Sequence, residues 1–305
     1  MKKITGTFPA SSGLCDIHFY IYTPEKPKAA LVLSHGMCEY IERYEDFAKF
    51  LCENDIALCA NDHMGHGKSL SDDSKLGYFG EEGGYIAMVN DLHRTKLLCE
   101  RQFPDIPHFL LGHSMGSFLA RIYLARYADR WDGAVFMGTA GGLATAAPMR
   151  RVIDRIISAR GSMCRHRLGT RLAFGVFNLR TENHRTRYDW LSRDDENVDK
   201  YIADPKCNFI FTAAGYRDLI NALLCANSEA VFENTPRDVP ILFLSGGMDP
   251  VGEYGKGVER AFVRYAEHGC SVRMKIYREA RHELLFELNR REVMEDILAF
   301  LMENI

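Results

Sequence analysis

A serine with glycine two places before it and two places after can be shaped into a nucleophile, and the chain carries that pattern at Gly112-His113-Ser114-Met115-Gly116. The apolar run His108-Phe109-Leu110-Leu111 precedes it and the amphipathic stretch Phe118, Leu119, Ile122 and Tyr123 follows, which is the strand-turn-helix setting the pattern requires. A serine on so sharp a turn needs neighbours without side chains, so that the hydroxyl stands clear while the helix packs closely behind. A serine hydroxyl is a weak nucleophile by itself, so the pattern calls for a histidine base and an orienting carboxylate, downstream in the order Ser, Asp, His. Asp249 follows the apolar run Ile241 to Ser245 and its Gly246-Gly247-Met248 turn. His282 follows the run Met274 to Tyr277 in the loop Arg278 to Glu283. All three residues therefore fall where strands end, the place at which open α/β sheets gather their catalytic groups.

The rival residues are less well positioned. Asp238 precedes its strand, Glu283 adjoins the proposed base, and His268 belongs to a helix-like stretch. Acyl transfer also needs donors for the developing oxyanion, commonly one backbone N–H after the nucleophile and one from the loop after an earlier strand. Met115 supplies the first. Ser34-His35-Gly36-Met37 ends the strand Leu31-Val32-Leu33, which makes the Met37 N–H the second.

Positioning these residues takes a sheet. Short apolar runs alternate with amphipathic segments, as expected of strands joined by crossover helices and covered on both faces. The strands are expected at Ala29 to Ser34, Ile56 to Asn61, Phe109 to Gly112, Gly133 to Gly138, Ile241 to Ser245 and Val272 to Tyr277. Ile4 to Phe8 and Asp16 to Tyr22 alternate more strictly and suit an antiparallel hairpin at the sheet edge. Helical stripes recur at Ile41, Tyr44, Phe47, Ala48 and Leu51, at Tyr85, Met88, Val89, Leu92 and Cys99, and at Val293, Ile297, Phe300 and Leu301.

The alternation breaks after Gly141-Gly142 and resumes near Val239, so about ninety residues stand between two strands without a strand signal, too many for a plain loop. The expected division is a core over 1–142, a helical insert over 143–227 and the rest of the core over 228–305. The insert's first half holds Arg150, Arg151, Arg155, Arg160, Arg165, Arg167, Arg171, Arg180, Arg185 and Arg187 against Asp154 and Glu182. Such a segment is either a solvated face or a contact for an anionic headgroup or membrane surface.

The 305 residues, 47% hydrophobic and 26% charged, suit one well-cored globular unit and exclude disorder, collagen and coiled coil. A net charge of −3 gives no electrostatic basis for nucleic-acid binding. The nine cysteines are scattered without a Cys-x-x-Cys pair, which points to a reducing, cytoplasmic setting. The start Met1-Lys2-Lys3 leads into no apolar stretch of the signal-peptide kind, and no run approaches the roughly 20 apolar residues of a membrane span. Asp62, His63 and His66 match no metal motif, and the glycines from Asp62 to Ser69 match neither a phosphate loop nor a dinucleotide fingerprint, so that segment reads as a structural loop under the site. No cofactor and no metal are called for.

Several segments together resemble the α/β-hydrolase superfamily and, within it, the monoacylglycerol lipase and lysophospholipase group. They are Ser34-His35-Gly36-Met37-Cys38-Glu39-Tyr40 with Arg43-Tyr44, then Asn61 to Ser69, Gly112 to Gly116, Gly246 to Gly252, and Ala280-Arg281-His282-Glu283. The resemblance implies an eight-stranded, mostly parallel sheet flanked by helices, with a helical cap inserted after the sixth strand. It also implies hydrolysis of monoacyl lipids or related carboxylic esters. The chain departs from the group's usual oxyanion loop, a small residue followed by a Glu-His pair: Met37 is large and Tyr40 follows Glu39, which bears on pocket shape and acyl preference. A serine at the turn separates the chain from the epoxide hydrolases and dehalogenases, which carry aspartate there.

The expected protein is thus a serine ester hydrolase in which Ser114 attacks, His282 carries the proton, Asp249 orients the imidazole, and Met37 and Met115 bind the oxyanion. The same constellation serves short-acyl carboxylesterases, thioesterases and peptidases of small peptides, and the fold also serves as a binding scaffold.

Overall fold

The computed structural model describes residues 1–127, 130–142, 144–165, 177–181 and 184–305. Eight strands form one sheet: β1 (Lys2–Pro9), β2 (Asp16–Thr23), β3 (Ala29–Ser34), β4 (Ile56–Asn61), β5 (His108–His113), β6 (Gly133–Met137), β7 (Ile241–Gly246) and β8 (Val272–Tyr277). Their order is β1-β2-β4-β3-β5-β6-β7-β8. The β1–β2 and β2–β4 pairs run antiparallel and the others parallel, so the expected edge hairpin and the parallel body are both present.

The continuous apolar runs are explained by the pleat, which sends alternate residues to opposite faces. On β3, Ala30 and Val32 enter one core with Leu110, Ala134 and Phe243, while Leu31 and Leu33 enter the other with Leu111, Val135 and Leu244. The second core is closed by α1 (Glu45–Glu53) through Phe47 and Leu51 and by a C-terminal helix (Arg290–Glu303) through Val293, Ile297 and Leu301. The first is closed by α2 (Gly84–Gln102) through Met88 and Leu92, by α3 (Met115–Arg126) through Leu119 and Tyr123, and by a helix at Lys256–Glu267 through Val258 and Tyr265. The stripe beginning at Ile41 is not one helix: a 3-10 turn, Ile41–Tyr44, precedes α1. Tertiary bonds shape that turn, since Ile41 N–H donates to Asp62 and the Tyr44 hydroxyl donates to Glu39.

Between β6 and β7 the described residues form α4 (Ala146–Arg160), α5 (Asp195–Ala203), α6 (Ala213–Ala226) and α7 (Glu229–Asn234), and no strand. Among the described residues the remaining α-helices are α8 (Lys256–Glu267) and α9 (Arg290–Glu303). α4 lies on α6, and α6 lies on α3. One buried side chain ties both ends of this stretch to the core. Arg121 of α3 donates to the Ala140 carbonyl at its start and to the Ala226 carbonyl and Asn227 Oδ1 at its end. Among the described residues no helix is long and apolar enough to cross a membrane.

Candidate active site

Ser114 occupies the turn between β5 and α3 with φ 51° and ψ −119°, a left-handed conformation that is strained for a residue with a side chain. Its N–H donates to the Met137 carbonyl of β6 at 2.9 Å, and its own carbonyl accepts from Ser117 N–H at 2.9 Å and Ser117 Oγ at 2.6 Å. The strain is held in place by the glycines. A Cβ on Gly116 would stand 2.1 Å from the Ser34 carbonyl, and one on Gly112 would stand 2.6 Å from the Gly116 carbonyl. Only glycine lets α3 start this close to β3.

The structure brings the three sequence-derived residues together. His282 Nε2 lies 2.8 Å from Ser114 Oγ, and His282 Nδ1 lies 3.0 Å from Asp249 Oδ2. A carboxylate can only accept, so Nδ1 carries the proton and Nε2 presents its lone pair to the serine hydroxyl. Asp249 is fully buried after β7, with its other oxygen accepting from Val251 N–H at 2.8 Å. The imidazole is flanked by the rings of Trp190 and His113, with centroids 5.2 and 5.1 Å away. Of the rivals, Asp238 and His268 take no part in these contacts, and His268 instead bonds Glu229 on the surface.

Met115 is the first residue of α3, where an N–H has no intrahelical acceptor. Met37 stands on the turn after β3, next to Gly36, whose Cβ position would touch Ser114 Cβ at 3.1 Å. The Asp62 to Ser69 loop builds the floor beneath this turn. His63 N–H donates to His35 Nε2 at 2.8 Å, so His35 Nδ1 carries a proton and donates to the Gly36 carbonyl at 2.8 Å. Burial pulls His35, His63 and His66 below the usual imidazole value and keeps them neutral. No cluster of metal-binding side chains occurs among the described residues.

A buried ionic network missed by the sequence reading lies behind the site. Glu39 accepts from Gly36 N–H, from the Tyr44 hydroxyl at 2.9 Å and from His113 Nδ1 at 2.8 Å. Arg43 donates to Glu39 Oε2 at 3.0 Å and makes a two-pronged contact with Glu283 at 2.8 and 2.9 Å. Asn197 of α5 donates to the same Glu283. These side chains are 1%, 9% and 4% exposed for Glu39, Arg43 and Glu283. Burial favours a neutral Glu39, but His113 and then Arg43 outweigh it and hold the carboxyl well below its usual range. Burial also opposes charge on His113, yet Glu39 raises it above the usual imidazole value. The network joins the oxyanion turn, the residue before Ser114 and the residue after His282. Its one sequence signal was the opposite pair Glu39 and Arg43, four places apart.

A cavity of about 310 Å³ opens onto Ser114 and His282. Met149, Ile153, Leu219 and Leu223 from α4 and α6 give it an apolar wall, whereas Arg187, Tyr188 and Asn208 add polar groups. Met37 lines it too, while Tyr40 turns away to bond Asp204 at 2.6 Å. The insert's arginines are not one uniform face. Arg165 donates to the Ile210 and Ser74 carbonyls, Arg150 pairs with Asp154, and Arg185 pairs with Asp195 and Asp199. Arg151, Arg155 and Arg160 of α4 are exposed, and Arg167 and Arg171 lie outside the described residues.

The family model of the serine aminopeptidase S33 hydrolases matches residues 25–289. The chain belongs to this family. It is an α/β-hydrolase of the serine ester hydrolase type, with the eight-stranded, mostly parallel sheet expected of one. It is 27% identical over 263 residues to the monoglyceride lipase of Homo sapiens, covering 86% of this chain and 78% of that one. To the monoacylglycerol lipase of Mycolicibacterium smegmatis it is 25% identical over 301 residues, 97% of this chain and 96% of the other. The crystal structure of a thermostable carboxyl esterase from Bacillus coagulans, in complex with glycerol, superposes with a TM-score of 0.93 at 30% identity, covering 100% of this hydrolase and 99% of that one.

Proposed function

We propose that this hydrolase cleaves carboxylic esters of monoacyl lipids through an acyl-enzyme. The observation that carries the reading is the relay from Asp249 through His282 to Ser114 Oγ, opening into a cavity with an apolar wall. In the proposed reaction His282 Nε2 takes the Ser114 proton as Oγ bonds to the ester carbon, and the Met37 and Met115 N–H groups receive the oxyanion. The acyl C–O bond then breaks, and the leaving alcohol takes the proton from His282. Water, deprotonated by the same nitrogen, attacks the acyl-enzyme and releases the acid with Ser114 restored. Residues 143–227 act as a cap that supplies the acyl wall. The lipase names of the relatives at 25–27% identity support a monoacyl substrate.

The test is hydrolysis of monoacylglycerols from acetyl to oleoyl beside a panel of small peptide amides, for wild type and Ser114→Ala. A long-chain optimum is expected, reduced at least about 10³-fold in the variant. An acetyl optimum, or faster amide cleavage, would overturn the lipid reading in favour of a short-acyl esterase or a peptidase.

A further inference from the structure

Arg187 is exposed, and it differs from the other described arginines of the insert in its place against the cavity. It lines the cavity that holds Ser114 and His282, whereas Arg150, Arg185 and Arg193 are paired with carboxylates. No described carboxylate pairs with Arg187. Its Nη2 donates to Asn208 Oδ1 at 2.9 Å, and that same oxygen accepts from the Tyr188 hydroxyl. The guanidinium lies over the Tyr188 ring, 4.8 Å from its centroid. Asn208, at φ 52°, is fixed by its own donation to the Ile202 carbonyl at 3.3 Å. The fork is therefore oriented on two faces, while Nε and Nη1 have no described partner.

An oriented guanidinium with free donors matches the geometry of a phosphate, which it can hold by two charge-assisted bonds. A glycerol hydroxyl can accept from one of those donors but brings no charge to meet the fork. The carboxylates that line the same cavity, Glu39 and Glu283, are already held by His113 and Arg43, so they offer little repulsion to an incoming anion. The apolar wall of Met149, Ile153, Leu219 and Leu223 accounts for an acyl chain but not for Arg187.

We propose that Arg187, set by Asn208 and Tyr188, binds the phosphate headgroup of an anionic monoacyl glycerophospholipid, so that the cavity prefers that class to neutral monoacylglycerol. This rests on the monoacyl-ester reading above and specifies its substrate. The acyl ester is the bond cleaved, and the phosphate stays on the departing glycerol.

The test compares kcat/KM for 1-oleoylglycerol 3-phosphate and 1-oleoylglycerol in neutral detergent micelles, which keep the surface charge constant. Wild type, Arg187→Gln and Arg187→Lys are measured, with p-nitrophenyl butyrate as a control. Wild type is expected to favour the phosphate lipid, and Arg187→Gln to lower the ratio of the two kcat/KM values roughly 10- to 100-fold, chiefly through KM. Arg187→Lys, which keeps the charge and loses the fork, should fall between them. A wild-type preference for the neutral lipid, or a ratio unchanged in Arg187→Gln, would overturn the headgroup assignment and leave the monoacyl reading standing. Turnover of the butyrate with neither oleoyl lipid cleaved would overturn both.

Discussion

The two sides of the cavity are built by different physics. On the core side, the loops that carry reacting groups are fixed by close backbone packing, buried hydrogen bonds and charge: the Ser114 turn by crowding at Gly112 and Gly116, the oxyanion turn by His35 and Glu39, the Asp249 loop by Val251 N–H, and the His282 loop through Glu283 and Arg43. On the insert side, α4 and α6 present Met149, Ile153, Leu219 and Leu223, apolar side chains with no directional bond to the site, and the insert's polar contacts, Arg187 with Asn208 and Asn197 with Glu283, come from outside those two helices. Directional bonds set atoms to within tenths of an ångström, as acyl transfer requires. Apolar contact is tolerant of shape, which suits a wall that selects among chain lengths.

Breaking the core side should have the larger consequence. Arg43→Met leaves Glu39 and Glu283 buried without their shared cation, at an expected cost of about 3–5 kcal/mol. Urea unfolding at pH 7 measures this. On p-nitrophenyl esters the variant should lose kcat with KM nearly unchanged, because its effect is on positioning, and Arg43→Lys should recover part of the loss. A fall confined to KM would place Arg43 on the substrate side of the comparison.

The seam between the two regions should respond to pH. Asp218 of α6 accepts from Gly84 N–H at the start of α2, and burial raises its carboxyl to about 6. The unfolded chain releases that proton near pH 4, so between about 4 and 6 the folded protein binds more protons and its stability falls as pH rises. Asp218→Asn keeps an acceptor for Gly84 and removes the slope. It should be more stable than wild type at pH 7, by up to about 3 kcal/mol, with the two converging at pH 4. Thermal unfolding across that range checks it, and parallel curves would show that the carboxylate is solvated at the seam.

The insert side should tolerate change. Leu223→Trp is expected to shift the optimum toward shorter acyl chains while costing only about 1 kcal/mol, because the cavity can receive the ring. A chain-length series with a melting curve tests both halves. An unchanged optimum would remove Leu223 from the acyl wall.

The same division governs what could be read from the sequence. The parallel strands were legible because runs such as Leu110-Leu111 and Phe243-Leu244 are buried on both faces, and Ser114 because its strand-turn-helix setting, with Gly112 crowded by Gly116 and Ser117, is local in the chain. The division of the 3-10 turn Ile41–Tyr44 from α1 was not legible, since bonds to Asp62 and within the Glu39 network shape it, and these come from elsewhere in the fold. Arg165 is exposed, as a surface charge is, but its partners were not legible: its guanidinium donates to the carbonyls of Ser74 and Ile210, 91 and 45 residues away.

By itself the sequence determined the sheet, the long helical stretch between its sixth and seventh strands, and the candidates Ser114, Asp249, His282, Met37 and Met115. These follow from periodicity and from local turn geometry, which act over a few residues. Tertiary structure alone decided that Glu39, Arg43, His113 and Glu283 form one network, and that among the insert's described arginines Arg187 lines the cavity. Those outcomes depend on which side chains meet across the fold. The free energy of a charge depends on the partners and burial it finds there, and pattern along the chain does not carry that information.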